Sequence, residues 1–71
     1  MKLPIISGDE AIKILNKKGF KKVREKKHVV LTKITKQGKK IVIVPRHREL
    51  AKGTLLSIMS QSGMTRDEFF S

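Results

Sequence analysis

The stretch VVLTKITKQGKKIVIVP, residues 29–45, constrains the fold more than any other. Its first part, residues 29–35, is rich in β-branched side chains. Val30, Thr32 and Ile34 alternate there with Val29, Leu31 and Lys33. That period of two is the period of a strand. Its last part, KIVIVP, carries apolar residues on both sides and stops at Pro45, which has no N–H to give a ladder. TKQGKK between them is a turn, with Gly38 available for a positive φ. Strands joined by so short a turn lie antiparallel. The apolar residues on both sides predict that KIVIVP is the most buried strand.

The N-terminal flank supplies a helix. SGDE, residues 7–10, is a capping box, and Ile6 before it can staple onto Ala11. Ala11, Ile12, Ile14 and Leu15 fall within one arc, with Lys13, Asn16 and Lys17 outside it. Lys17 and Lys18 suit the negative end of the helix, and Gly19 suits its cap, which predicts a helix over residues 8–18. Residues 20 to about 25 form a weak, polar third strand. RHRELAK leads into a second helix over residues 52–62, with Leu55, Leu56, Ile58 and Met59 as its apolar face and Gly63 at its end. TRDE, residues 65–68, is a second capping box opening a short helical turn. Phe69 and Phe70 on that turn are expected at the core edge. The result is an α+β fold, α-β-β-β-α, with a three-stranded antiparallel meander. Both helices are expected on one face, leaving the other open to solvent or a partner.

A chain of 71 residues is expected to be one domain, residues 1–71, with one thin core and no room for an enclosed active site. Chemistry must therefore occur on a face or in a shallow groove. There is no cysteine, hence no disulfide and no cysteine-based zinc site. The apolar run at residues 41–44 is far shorter than the ~20 residues of a membrane span. MKLPIISGDE lacks the pattern of a signal peptide. These features predict a soluble, cytoplasmic protein. Seventeen Lys and Arg face six Asp and Glu, a net charge of +11, and this favours a polyanionic partner: nucleic acid, an acidic protein or an anionic membrane. A lysine-rich solvated surface would normally balance Lys with Glu, so nucleic acid is the leading expectation, with no membrane.

REKKHVVL places His28 at the mouth of a strand, behind Lys26 and Lys27. Lysines spoil a core site for histidine, and they repel metals. They do suit an anionic backbone. RNA carries its own nucleophile, the ribose 2′-OH, and its metal-free cleavage needs a base, cationic donors for the phosphate and an acid for the leaving 5′-oxygen. Histidine, with an ordinary pKa of about 6.5, is the natural base. On the residues alone, a surface histidine in a basic turn is the plainer reading of His28, and a catalytic base is the alternative. Arg24, Lys26, Lys27, Lys33, Arg46 and Lys52 are candidates for RNA phosphate, and Lys21, Lys22, Lys39 and Lys40 extend that set. His47, between Arg46 and Arg48, either supports catalysis or holds the strand-to-helix corner. Gly53 and Thr54 can offer backbone N–H groups to phosphate, or simply supply small residues to a helix start. With no Tyr or Trp, and three phenylalanines suited to the core, an aromatic base-stacking platform is poorly supplied. Nothing calls for a metal or another cofactor.

The run VPRHRELAKGTLLSIMSQSGMTRDEF, residues 44–69, closely resembles the C-terminal half of the HicA toxins, the mRNA interferases of HicA–HicB toxin–antitoxin pairs. Pro45, His47, Lys52, Gly53, Thr54, Leu55, Ile58, Gly63, Glu68 and Phe69 match that pattern in order. The first half is similar too: an amphipathic helix, Gly19–Phe20, a basic strand with Val23–Arg24, then a histidine. The resemblance implies a double-stranded-RNA-binding-domain-like fold and metal-independent cleavage of mRNA by the histidine opening the second strand, here His28. It also implies a HicB-like antitoxin as partner. The family usually carries Gly-Ser before that histidine. Here REKKH stands instead, and the approach is one residue shorter. Tight hairpins favour residues of positive φ, so either this turn is of another type or Lys26 and Lys27 are strained. A non-catalytic RNA-binding module of the same fold is the main alternative. An interaction protein for an acidic partner is another.

Overall fold

The structure is a computed structural model and describes residues 3–71. Its elements run α1 (Gly8–Lys17), β1 (Lys21–Glu25), β2 (His28–Thr35), β3 (Gly38–Pro45), α2 (Lys52–Ser62) and α3 (Arg66–Phe69). The strands form one antiparallel sheet in the order β1-β2-β3. This is the α+β, double-stranded-RNA-binding-domain-like arrangement, with the short third helix appended.

The hairpin register follows from the turn. Thr35 pairs with Gly38 across Lys36 and Gln37, and Gly38 takes φ 119°, where a side chain would be strained. That register sets Val29 opposite Val44 and Leu31 opposite Val42. All four are fully buried and share one core with Ala11 and Leu15 of α1 and Leu55 and Ile58 of α2. The helices therefore cover one face, with α2 chiefly against β3 and α1 reaching all three strands. Among the described residues no helix is long and apolar enough to cross a membrane.

KIVIVP is not the most buried strand. The central strand is β2, and β3 is an edge. Val42 and Val44 face the helices, but Ile41 and Ile43 remain 49% and 46% exposed. Their apolar character answers to the open face, which no helix covers. Leu56 likewise leaves the predicted apolar face of α2. The buried positions are Leu55, Ile58, Met59 and Ser62, and Leu56 turns to solvent.

The predicted ends of α1 hold, one residue shorter at the C-terminus. Ser7 Oγ accepts the Glu10 N–H at 3.0 Å, and the Ser7 N–H donates to Glu10 Oε1 at 3.1 Å. Ile6 is buried behind this box. Lys18 already caps the helix. The N–H of Gly19 reaches Asn16 O, and that of Phe20 reaches Leu15 O, a Schellman pattern with Phe20 and Leu15 both buried. At the other end Gly8 lies against β3: a Cβ there would overlap the Pro45 carbonyl oxygen. Thr65 and Glu68 form the second capping box. Phe69 sits in the core itself rather than at its edge. Phe70 is half-buried and meets Phe69 edge-on, with ring centroids 5.0 Å apart.

Candidate functional site

His28 is the first residue of β2 and lies opposite Pro45 of β3. Its carbonyl accepts the Lys26 N–H at 3.2 Å, while Glu25 pairs with Val29. The connection is thus a tight bend, and among the described residues no residue other than glycine has positive φ. The turn is of another type than the primed hairpins, and Lys26 and Lys27 carry no left-handed strain. The missing Gly-Ser pair is accommodated without one.

Alternation along β2 puts His28, Val30, Thr32 and Ile34 on the open face. Arg24 pairs with Val30, and Val30 with Ile43, so these three form one row across the sheet. Together with Lys26, Lys27 and His28 they line an open groove of about 610 Å³. The strand ends bring together four of the residues singled out in the sequence: Arg24, Lys26, Lys27 and His28. All four are exposed, and among the described residues none of their side chains is held by an ion pair.

The other candidates are placed elsewhere or are already engaged. Lys33 was expected on phosphate. Its Nζ instead donates to Lys18 O at 2.8 Å and stands 5.8 Å from the Phe20 ring centroid, tying β2 to the end of α1. Arg46 spans two carboxylates, with Nη1 3.3 Å from Glu25 Oε1 and Nη2 3.7 Å from Asp9 Oδ1. Lys22 also pairs with Glu25, at 3.1 Å. The Lys22 hydrogen bond, then the charges of Lys22 and Arg46, hold the Glu25 carboxyl below its usual range despite some desolvation. Lys52 borders different grooves, one with Leu3, Pro4, Ile5, Leu50 and Leu55. Gly53 and Thr54 lie in the first turn of α2, whose N-cap, Ala51, offers no side-chain bond. His47 stands at the corner between β3 and α2. Its carbonyl accepts the Gly8 N–H at 2.8 Å, and its side chain is exposed. Among the described residues no cluster of three His, Cys, Asp or Glu is arranged to hold a metal.

Sequence reasoning missed Val30 and Ile43 as groove residues. The signal was present: a two-residue turn at Lys36 and Gln37 sets the pairing, and Val30 lies two residues from His28 on the same face. Glu25 was missed as the carboxylate that occupies Arg46, and no spacing rule reveals a contact across 21 residues.

The open sheet face and the hairpin end beside it thus gather one histidine and three cations that make no ion pair among the described residues. A family model, HicA toxin of bacterial toxin–antitoxin, matches residues 8–64, from the first residue of α1 through the sheet and α2. The chain belongs to the HicA toxin family, and membership implies an antitoxin partner. No curated protein matches the chain in sequence.

Proposed function

We propose that the chain is the ribonuclease toxin of its pair, a metal-independent endoribonuclease that cleaves mRNA in the cytoplasm and is neutralised by a HicB-like antitoxin. The observation that carries this reading is the groove: an exposed histidine at a strand mouth, ringed by Arg24, Lys26 and Lys27. His28 takes the proton of a ribose 2′-OH. The freed oxygen attacks the adjacent phosphorus, and the bond to the 5′-oxygen breaks. The imidazolium or water returns a proton to that oxygen. The products are a 2′,3′-cyclic phosphate and a 5′-hydroxyl. Arg24, Lys26 and Lys27 hold the phosphate and offset its developing charge.

Acid–base catalysis by one side chain contributes about 10²–10⁴-fold. His28→Ala in the purified chain, assayed with EDTA present, is expected to lose that factor while retaining RNA binding. Equal cleavage by variant and wild type would remove His28 from the mechanism. Salt-sensitive binding without cleavage by a folded wild type would favour the non-catalytic RNA-binding module.

A further inference from the structure

We infer that Val30 and Ile43 form the floor of a nucleobase subsite, so that the groove takes single-stranded RNA with one base turned out onto the sheet. This deepens the proposal above and rests on its reading of the groove as an RNA site. The register places Arg24, Val30 and Ile43 side by side on β1, β2 and β3. Val30 is half-buried and Ile43 is 46% exposed, on a face that no helix covers. A base has an apolar face whatever its identity, and unstacked bases are the usual handle on single strands. The usual platform is aromatic, but Phe20 and Phe69 are buried, and Phe70 packs on Phe69. An aliphatic pair bordered by an arginine, whose guanidinium plane also stacks on bases, is what this face presents instead.

Two observations favour a nucleotide over other occupants. The rim is cationic, and among the described residues no carboxylate lines the groove. His28 is two residues from Val30 on one strand, a step of about 6.6 Å, comparable with the reach from a base to its own ribose. The Ile43 main chain is tied to α2, its N–H donating to Gln61 Oε1 at 3.0 Å. A duplex hides its base faces in the stack and cannot use this floor. The floor carries no donor or acceptor side chain, so it ranks bases by stacking area, purine above pyrimidine.

The test uses the full chain carrying His28→Ala, so that RNA stays intact. Binding is measured for a single-stranded hexamer, a wholly abasic ribose-phosphate hexamer of equal charge, and a duplex. The intact strand is expected to bind about 5- to 10-fold tighter than the abasic strand, the low end of base-stacking effects. Adding Ile43→Ser should bring the intact strand down to the abasic level and leave the abasic strand and the salt slope unchanged. Ile43→Phe should tighten binding of the intact strand only. Retained RNA binding that ignores Ile43→Ser would overturn the subsite and assign the floor to a protein partner such as the antitoxin. Equal loss for both strands, or a duplex binding as tightly as the single strand, would also overturn it. Absence of all RNA binding at low salt would remove the RNA reading and the subsite with it.

Discussion

Replacing Lys26 with glutamine removes one of the three groove cations that make no ion pair among the described residues, the others being Arg24 and Lys27. Each phosphate contact on a single strand contributes about −0.7 to the slope of log affinity against log salt. Three contacts predict a slope of about −2.1, so a fourfold rise in salt should weaken binding about 18-fold. Lys26→Gln should lower the slope to about −1.4, a loss of about sevenfold over the same range. Lys33→Gln and Arg46→Gln should leave it near −2.1, because Lys33 donates to Lys18 O and Arg46 lies between Glu25 and Asp9. The assay is fluorescence anisotropy with a short single strand in the His28→Ala background, from about 50 to about 200 mM salt. A short strand keeps Lys21 and Lys39, farther along the sheet, out of the count. An unchanged slope in Lys26→Gln, or an equal drop in Lys33→Gln, would refute the assignment of phosphate contacts.

Three further outcomes concern the scaffold. Gly8→Ala drives a methyl into the Pro45 carbonyl and toward Arg46 Cα, both backbone, and should cost about 2 kcal/mol or more in urea unfolding. Phe69→Ala empties a fully buried site and should cost about 3–5 kcal/mol, a large share of what so small a domain holds. An unchanged urea midpoint in either variant would contradict the packing described. In acid, the Thr65 backbone N–H and then its side chain hold Glu68 below the ordinary 4.5, and Lys22 then Arg46 do the same for Glu25. Carboxyls lowered in the folded state stabilise it above the unfolded pKa, and that stability is lost as pH falls through the lowered value. The thermal midpoint should therefore drop below about pH 4.5, and Glu68→Gln should flatten part of that drop by lowering the neutral-pH midpoint toward the acid value.

The elements were legible because their signals are local. Ser7 with Glu10 and Thr65 with Glu68 announce their helices within four residues, and both boxes close as read. The alternation from Val29 onward likewise set the core face of β2. What misled is the face of β3. Apolar residues at 41 and 43 read as two-sided burial, because a sequence does not distinguish a second covering layer from an exposed surface that contacts something else. Among the cations, residue type was visible but engagement was not. Lys33 and Lys26 look alike in a string, yet one meets a helix-end carbonyl 15 residues away and the other faces the groove. Arg24, Lys26, Lys27 and His28 lie together because a hairpin end keeps neighbours in sequence together in space.

Fragment end-groups bear most directly on His28 as the base acting on a ribose 2′-OH. A defined RNA incubated with the chain in EDTA should yield 2′,3′-cyclic phosphate and 5′-hydroxyl ends. Cleavage should vanish when the ribose at the cut carries no 2′-OH, and His28→Ala should slow it by about 10²-fold or more. Fragments with 5′-phosphate ends, or cleavage undiminished in His28→Ala, would contradict the account.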